Sequence, residues 1–165
     1  YRNIMCKDYM RNVSNAAPLH DIGKIATPDS ILQKPGKLSD EEYEIMKEHA
    51  TQGGKIIRQI FYNLDDMQFR NTAYEIARFH HEKYNGKGYP DELAGEQIPL
   101  HAGIMAIADV FDAVSQKRCY RDAMTIDESF SIIEKGIGTD FDPHLAQVFL
   151  DNKDEVIKLM KQLED

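Results

Sequence analysis

The stretch Leu19-His20-Asp21-Ile22-Gly23-Lys24-Ile25 constrains this chain more than any other. A histidine beside an aspartate, set in an apolar run, puts a carboxylate where burial is expensive unless positive charge sits against it. Imidazole and carboxylate together suit a divalent ion such as iron, manganese or zinc. A fold that keeps such a pair must bring further ligands to it. The chain supplies them: His49, the pair His80-His81 and Asp109 each fall on the apolar stripe, or the crowded centre, of a separate predicted helix.

Helical spacing runs through most of the sequence. Residues 4–22 carry Met5, Tyr9, Val13 and Ala16 or Ala17 on one stripe. Pro18 predicts a break there, followed by a short second helix carrying His20 and Asp21, with Gly23 as its stop. Residues 26–38 read as loop with one helical turn around Asp29–Leu32. Ser39-Asp40-Glu41-Glu42 has capping-box spacing and opens a long helix. Its apolar face runs through Met46, Ala50, Gly53, Ile56 or Ile57 and Ile60, and His49 lies on it. Gly53-Gly54 costs about 1 kcal/mol per glycine relative to alanine, which predicts a neighbour in close approach.

A further helix covers residues 67–82, with Ala73, Ile76, Ala77 and His80 on one stripe. Residues 83–100 form a long loop rich in turn chemistry, including Asn85-Gly86 and Gly88-Tyr89-Pro90. Residues 101–117 are apolar nearly all round and predict a central buried helix. The last helices are expected at 127–136 and 143–162, the latter opened by Asp142-Pro143. No segment alternates with strand period, so the fold class is all-α. A length of 165 residues fits one domain.

Composition narrows the function. With 42% hydrophobic and 29% charged residues the chain is a folded globular one. No apolar run approaches the roughly 20 residues of a membrane helix, and no signal peptide is visible. Cys6 and Cys119 have no disulfide or metal-knuckle spacing, so a reduced, cytoplasmic setting is expected. A net charge of -8 argues against a nucleic-acid duplex as partner. It leaves room for a small anion held by a metal and a few local cations.

Asp109 is the sharpest single residue, placed mid-helix among Ile107, Ala108, Val110 and Phe111. A buried ion pair with one histidine would explain Asp109 and its partner alone. A metal accounts for His20, Asp21, His49, His80, His81 and Asp109 together. One catalytic zinc is satisfied by about three protein ligands and a water. Six ligands therefore fit two ions, with Asp21 able to bridge through both oxygens. Two ions close together can share a hydroxide nucleophile and clamp a phosphoryl group. No serine elbow, Walker loop or cysteine–histidine arrangement offers another nucleophile. Phosphate would need cations, and Lys24, Lys87, Arg118 and Arg121 lie near the motifs, Lys24 foremost. The turn at Tyr89 is either part of the pocket or a plain Gly-Tyr-Pro turn. His101 and His144 are read as structural or exposed.

Taken in order, HDIGK, the lone histidine of EHATQGG, HHEKYNGKGYP, IPLHAGIMAIADVFDA and GTDFDP follow the pattern of the HD-GYP domain. That is a branch of the HD superfamily of metal-dependent phosphohydrolases found in bacterial signalling proteins, and the resemblance runs from about Ala16 to Leu150. It implies a single-domain helical bundle of the HD phosphohydrolase type with a GYP loop, spanning 1–165. It also implies hydrolysis of cyclic di-GMP to linear pGpG or GMP, with two iron or manganese ions and, in some full-length members, a third. By similarity, His20, Asp21, His49, His80, His81 and Asp109 align with metal ligands, Asp21 bridging. Lys24 matches the lysine against the scissile phosphate. Tyr89 belongs to the GYP loop, which shapes the pocket and is credited with contacts to signalling partners. Arg118 and Arg121 match positions that hold the ligand's phosphates or guanine.

The chain also departs from the pattern. Family members carry an earlier helix whose histidine completes the first metal site, and no residue before His20 here is histidine. The expectation is a domain lacking that first metal-ligand helix, with a sensor or receiver domain upstream. Tyr84-Asn85 replaces the usual Trp-Asp, Gly103 the usual Arg, and Asp140 the usual His. Two alternatives follow: an impaired module that binds a cyclic dinucleotide or a partner without turnover, and an HD hydrolase of another nucleotide.

Overall fold

Stripes at helical spacing bury themselves only by packing helix on helix, and this chain does so throughout. The computed structural model describes residues 6–116 and 124–164. Among them lie eight α-helices: α1 Lys7–Ala16, α2 Asp29–Leu32, α3 Asp40–Ile60, α4 Met67–Phe79, α5 Leu100–Ser115, α6 Ile126–Lys135, α7 Pro143–Asp151 and α8 Lys153–Glu164. Short 3-10 segments occupy Ala17–Leu19, Ile22–Ala26 and Gly95–Gln97. Among the described residues β-pairing is confined to two isolated bridges, Asn85 with Ala94 and Ile137 with Phe141. The fold is all-α, as the periodicity requires.

The caps read from sequence form. Ser39 Oγ accepts the Glu42 backbone N–H at 3.3 Å, and Glu42 Oε2 accepts that of Ser39 at 2.7 Å. Thr125 and Glu128 make the same reciprocal box at α6. Asp142 Oδ1 accepts the N–H groups of His144 and Leu145 ahead of α7. Each cap is worth about 1 kcal/mol.

Several expectations are corrected. His20 and Asp21 do not ride on a helix, and Gly23 is not its stop: they form a turn between Ala17–Leu19 and Ile22–Ala26, with Gly23 inside the second segment. Pro18 lacks the N–H that a continuing α-helix would need. Helix α4 ends at Phe79, so His80 is its C-cap and His81 lies beyond it. The stretch 143–162 is two helices. At the joint the Asn152 side-chain amide donates to the Val148 carbonyl at 2.8 Å, the acceptor its own backbone N–H would use in an unbroken helix. Ile60 is 63% exposed, because Ile57, one turn earlier, takes the buried position.

Two apolar clusters result. Tyr9, Val13, Ala16, Ile57, Ala73, Ile76 and Ala77 join α1, α3 and α4. Ile107, Phe111, Phe130, Ile133, Phe141 and Ala146 join α5, α6 and α7, with Val156, Ile157 and Met160 of α8 against them. Fully buried Ile57, Ile76 and Ile133 each contribute on the order of 2 kcal/mol. Helix α5 belongs to both, since Met105 packs on the first cluster and Ile107 and Phe111 build the second. The polar centre lies where α5 meets the turn at His20-Asp21.

Candidate metal centre

Three backbone carbonyls set the chemistry. His20 Nδ1 lies 2.8 Å from the Ala17 carbonyl oxygen, His49 Nδ1 2.7 Å from that of Met46, and His80 Nδ1 3.0 Å from that of Ile76. A carbonyl only accepts, so each Nδ1 carries a ring proton; His49 and His80, held neutral, present a lone pair at Nε2, whereas His20 directs its Nε2 to the Asp21 carboxylate as a donor. Metal-ligating histidines are commonly held in this way.

The inward atoms converge on Asp21. Its Oδ1 lies 3.5 Å from His49 Nε2 and 3.9 Å from His80 Nε2, while Oδ2 lies 3.2 Å from His20 Nε2 and 2.6 Å from Lys24 Nζ. Asp109 Oδ1 is 3.7 Å from His20 Nε2. His49 and His80 meet Nε2 to Nε2 at 3.4 Å, and the His81 ring stands 4.0 Å from that of His80. His49, His80 and His81 can each offer a ring nitrogen within 4.8 Å of the others. The structure thus brings all six expected residues together, in two halves that share Asp21. His49 and His80 are buried, and His81 is half-buried.

This arrangement is unbalanced for protein atoms alone. The lone pairs of His49 and His80 face each other and the Asp21 carboxylate, three acceptors with no proton among them. A cation fits there, so the donor set suits a divalent metal. The electrostatics agree. Burial, then neighbouring histidines, pushes His80 down to about 4 and His81 down to about 2, and burial also lowers His49. All three are neutral at pH 7, as ligand nitrogens must be. Burial opposes the charge on Asp21, but hydrogen bonds from His20 and Lys24 prevail and hold it well below the usual carboxylate range. For His20 burial works downward, yet Asp21 and the Ala17 carbonyl raise it overall.

The loop after α4 closes one side. Glu82, only 2% exposed, accepts the backbone N–H of Asp91 at 2.7 Å and of Leu93 at 3.0 Å. Arg78 grips Asp91 with two hydrogen bonds, at 2.9 and 2.6 Å. Between these anchors the Tyr89 N–H donates to the His81 carbonyl, and the Tyr89 ring lies 4.8 Å from the His81 ring. Burial first, then Tyr43 and Asp109, push the Tyr89 phenol far above its ordinary value, so it stays protonated. Lys47 Nζ sits 5.7 Å over the Tyr89 ring and 5.5 Å over that of Tyr43. On the other side, His20, Asp21 and Asp109 open onto a cavity of about 680 Å³ walled by Met105, Phe111 and Phe149.

Sequence reasoning missed Glu82, Tyr43, Lys47 and the Arg78–Asp91 clamp. A carboxylate directly after His80-His81 was a signal for Glu82, whereas nothing in the spacing marks Tyr43 or Lys47. Lys87 is exposed. Arg118 and Arg121 lie outside the described residues. His144 is exposed, while His101 is buried, with Nδ1 3.4 Å from the Tyr9 hydroxyl and Nε2 in an ion-pair contact 2.7 Å from Glu75.

A family model described as "HD domain" matches residues 5–145. A "Cyclic di-GMP phosphodiesterase" of Vibrio cholerae is 41% identical over 165 residues, covering 100% of this chain and 34% of the relative. A "3'3'-cGAMP-specific phosphodiesterase 2" of the same organism is 43% identical over 153 residues, 93% of this chain and 28% of the relative. A "Cyclic di-GMP phosphodiesterase" of Thermotoga maritima is 38% identical over 161 residues, 98% of this chain and 42% of the relative. The chain spans roughly a third of the length of these relatives.

Proposed function

The chain belongs to the HD domain family, and from that premise we propose that it is a metal-dependent phosphodiesterase that opens cyclic di-GMP to linear pGpG, and on to GMP. The observation that carries the reading is the set of facing acceptors, His49 Nε2, His80 Nε2 and Asp21 Oδ1, gathered beneath the loop that bears Tyr89. The names of the relatives supply the substrate class.

His49, His80, His81 and Asp21 would hold one ion, and His20, Asp21 and Asp109 would hold a second. Iron or manganese suits this mixed imidazole and carboxylate set. A divalent metal supplies Lewis acidity toward the phosphoryl group and acidifies water at neutral pH. The remaining steps belong to the chain. Lys24, 2.6 Å from Asp21 Oδ2, holds that carboxylate ionised and brings an ammonium to the phosphate's free oxygens. Tyr89, kept as a protonated phenol, offers a donor and a ring face to the ligand. The Glu82 and Arg78 clamps hold the loop that carries it. The balance is a hydrolysis: the bond from phosphorus to the 3′ oxygen breaks, one from phosphorus to water oxygen forms, and the water proton ends on the 3′ oxygen.

Identities of 41% and 43% do not separate the two substrate names, so the test uses both. Metal-loaded chain is incubated with cyclic di-GMP and with 3′3′-cGAMP, and products are resolved by chromatography. Linear pGpG from cyclic di-GMP is the expected result. Turnover of 3′3′-cGAMP alone would move the chain to another nucleotide. Binding without turnover by fully metallated chain would make it a binding module.

A further inference from the structure

The C-terminal end of α3, Tyr62 and the first turns of α4 line an open surface pocket of about 340 Å³, formed by Arg58, Tyr62, Arg70, Asn71 and Tyr74. Its chemistry runs against that of the chain. The net charge is -8, yet two guanidinium groups meet here, and among the described residues no carboxylate ion-pairs with either. The neighbouring Asp66 is engaged elsewhere, accepting the Phe69 N–H at 2.9 Å as the cap of α4.

Both arginines are partly fixed. The Arg58 guanidinium stacks 3.9 Å above the centre of the Tyr74 ring. Arg70 Nη1 donates to the Tyr62 carbonyl at 3.1 Å, leaving its other N–H groups for a ligand. A planar guanidinium held in this way matches phosphate oxygens two at a time and loses little freedom on binding. Tyr62 is 75% exposed, a large ring with a face to offer, and rings of this kind stack on nucleobases whatever their identity. The Asn71 amide adds both a donor and an acceptor. The cavity lies at the small end of ligand pockets, a size for one nucleotide and not two. Arg58 follows His49 by nine residues of α3, about 13 Å along the helix, so this is a separate place from the metal centre.

We propose that this cavity binds a nucleoside monophosphate, with the phosphate between Arg58 and Arg70 and the base on Tyr62. The site joins α3 to α4, the helices that bring His49 and His80. Tyr74 also packs against Gly54, where an added Cβ would lie 3.0 Å from the ring.

Equilibrium dialysis with GMP, AMP and inorganic phosphate, each alone, tests it. The samples are metal-loaded chain, the same chain after chelation, the variant Arg58→Gln/Arg70→Gln, and Tyr62→Ala, all with helical content checked by circular dichroism. Saturable GMP binding should survive chelation and weaken at least about tenfold in the arginine variant at unchanged metal content. Tyr62→Ala should weaken GMP and AMP but leave inorganic phosphate alone. No saturable binding of GMP, loss of binding on chelation, or equal affinity in the arginine variant would overturn the site. Inorganic phosphate bound as tightly as GMP, or a Tyr62→Ala variant with unchanged GMP affinity, would overturn its assignment to a nucleotide.

Discussion

His49 and His80 each commit Nδ1–H to a carbonyl of their own helix, at 2.7 and 3.0 Å, so a positive charge between their Nε2 atoms must come from outside the protein. This makes His80→Ala a direct probe. It should strip metal from the centre and reduce turnover about a hundredfold or more, since even supporting residues around a metal typically cost 10–100-fold. Elemental analysis and turnover on the same sample check both. The pH dependence follows from the same burial. His80 and His81 titrate below their ordinary 6.5 in the folded chain, so the unfolded chain binds more protons below that pH. Their contribution is complete above about pH 6.5 and is lost as pH falls; His80 alone costs about 2 kcal/mol by pH 5. His20, raised by Asp21, works in the opposite sense, its share being lost as pH rises through its folded value. Urea midpoints of metal-free chain should therefore be lower at pH 5 than at pH 7. A flat or inverted dependence would mean the buried imidazoles are not held neutral.

At the scale of elements, legibility followed chemistry more closely than boundaries. The capping box at Ser39, the single turn of α2 and the close approach at Gly53 are local signals, and all three form. The split at Asn152 was hidden because apolar spacing continues across it, and only a side-chain bond to Val148 reveals it. All six candidate ligands were legible as polar residues in apolar runs, although His20 and Asp21 sit in a turn and His81 beyond the end of α4. For Glu82 the position after His80-His81 was a signal but its role was not, because its two partners, Asp91 and Leu93, are set by how the loop folds back. Two predictions belong here. Gly23 has its α-carbon hard against α3, where an added Cβ would overlap the His49 carbonyl oxygen and the Gly53 nitrogen. Gly23→Ala must push backbone from backbone and should cost on the order of 3 kcal/mol in thermal or urea unfolding. Gly54→Ala meets only the Tyr74 and Arg78 side chains, so it should cost less. Glu82→Ala leaves two N–H groups without their acceptor and should destabilise by about 2 kcal/mol. It should lower turnover while metal content holds, because it loosens the loop carrying Tyr89 and not the ligands; loss of metal in this variant would contradict that separation.

Across the whole molecule, two apolar clusters meet at α5, and the polar centre sits along their seam. His49 and His80 extend from helices of the first cluster, while Asp109 sits on α5 two residues from Ile107 and Phe111 of the second. A metal bound by the folded chain and not by the unfolded one therefore adds its binding free energy to the closure of the whole bundle. Metal content by elemental analysis on anaerobically purified chain, with cyclic di-GMP turnover followed on the same sample, bears on the whole centre at once. About two iron or manganese ions per chain, the number that six ligands sharing Asp21 can hold, are expected, with linear pGpG as product. Sub-stoichiometric metal and no hydrolysis, persisting after reconstitution with iron and with manganese, would contradict a two-metal phosphodiesterase.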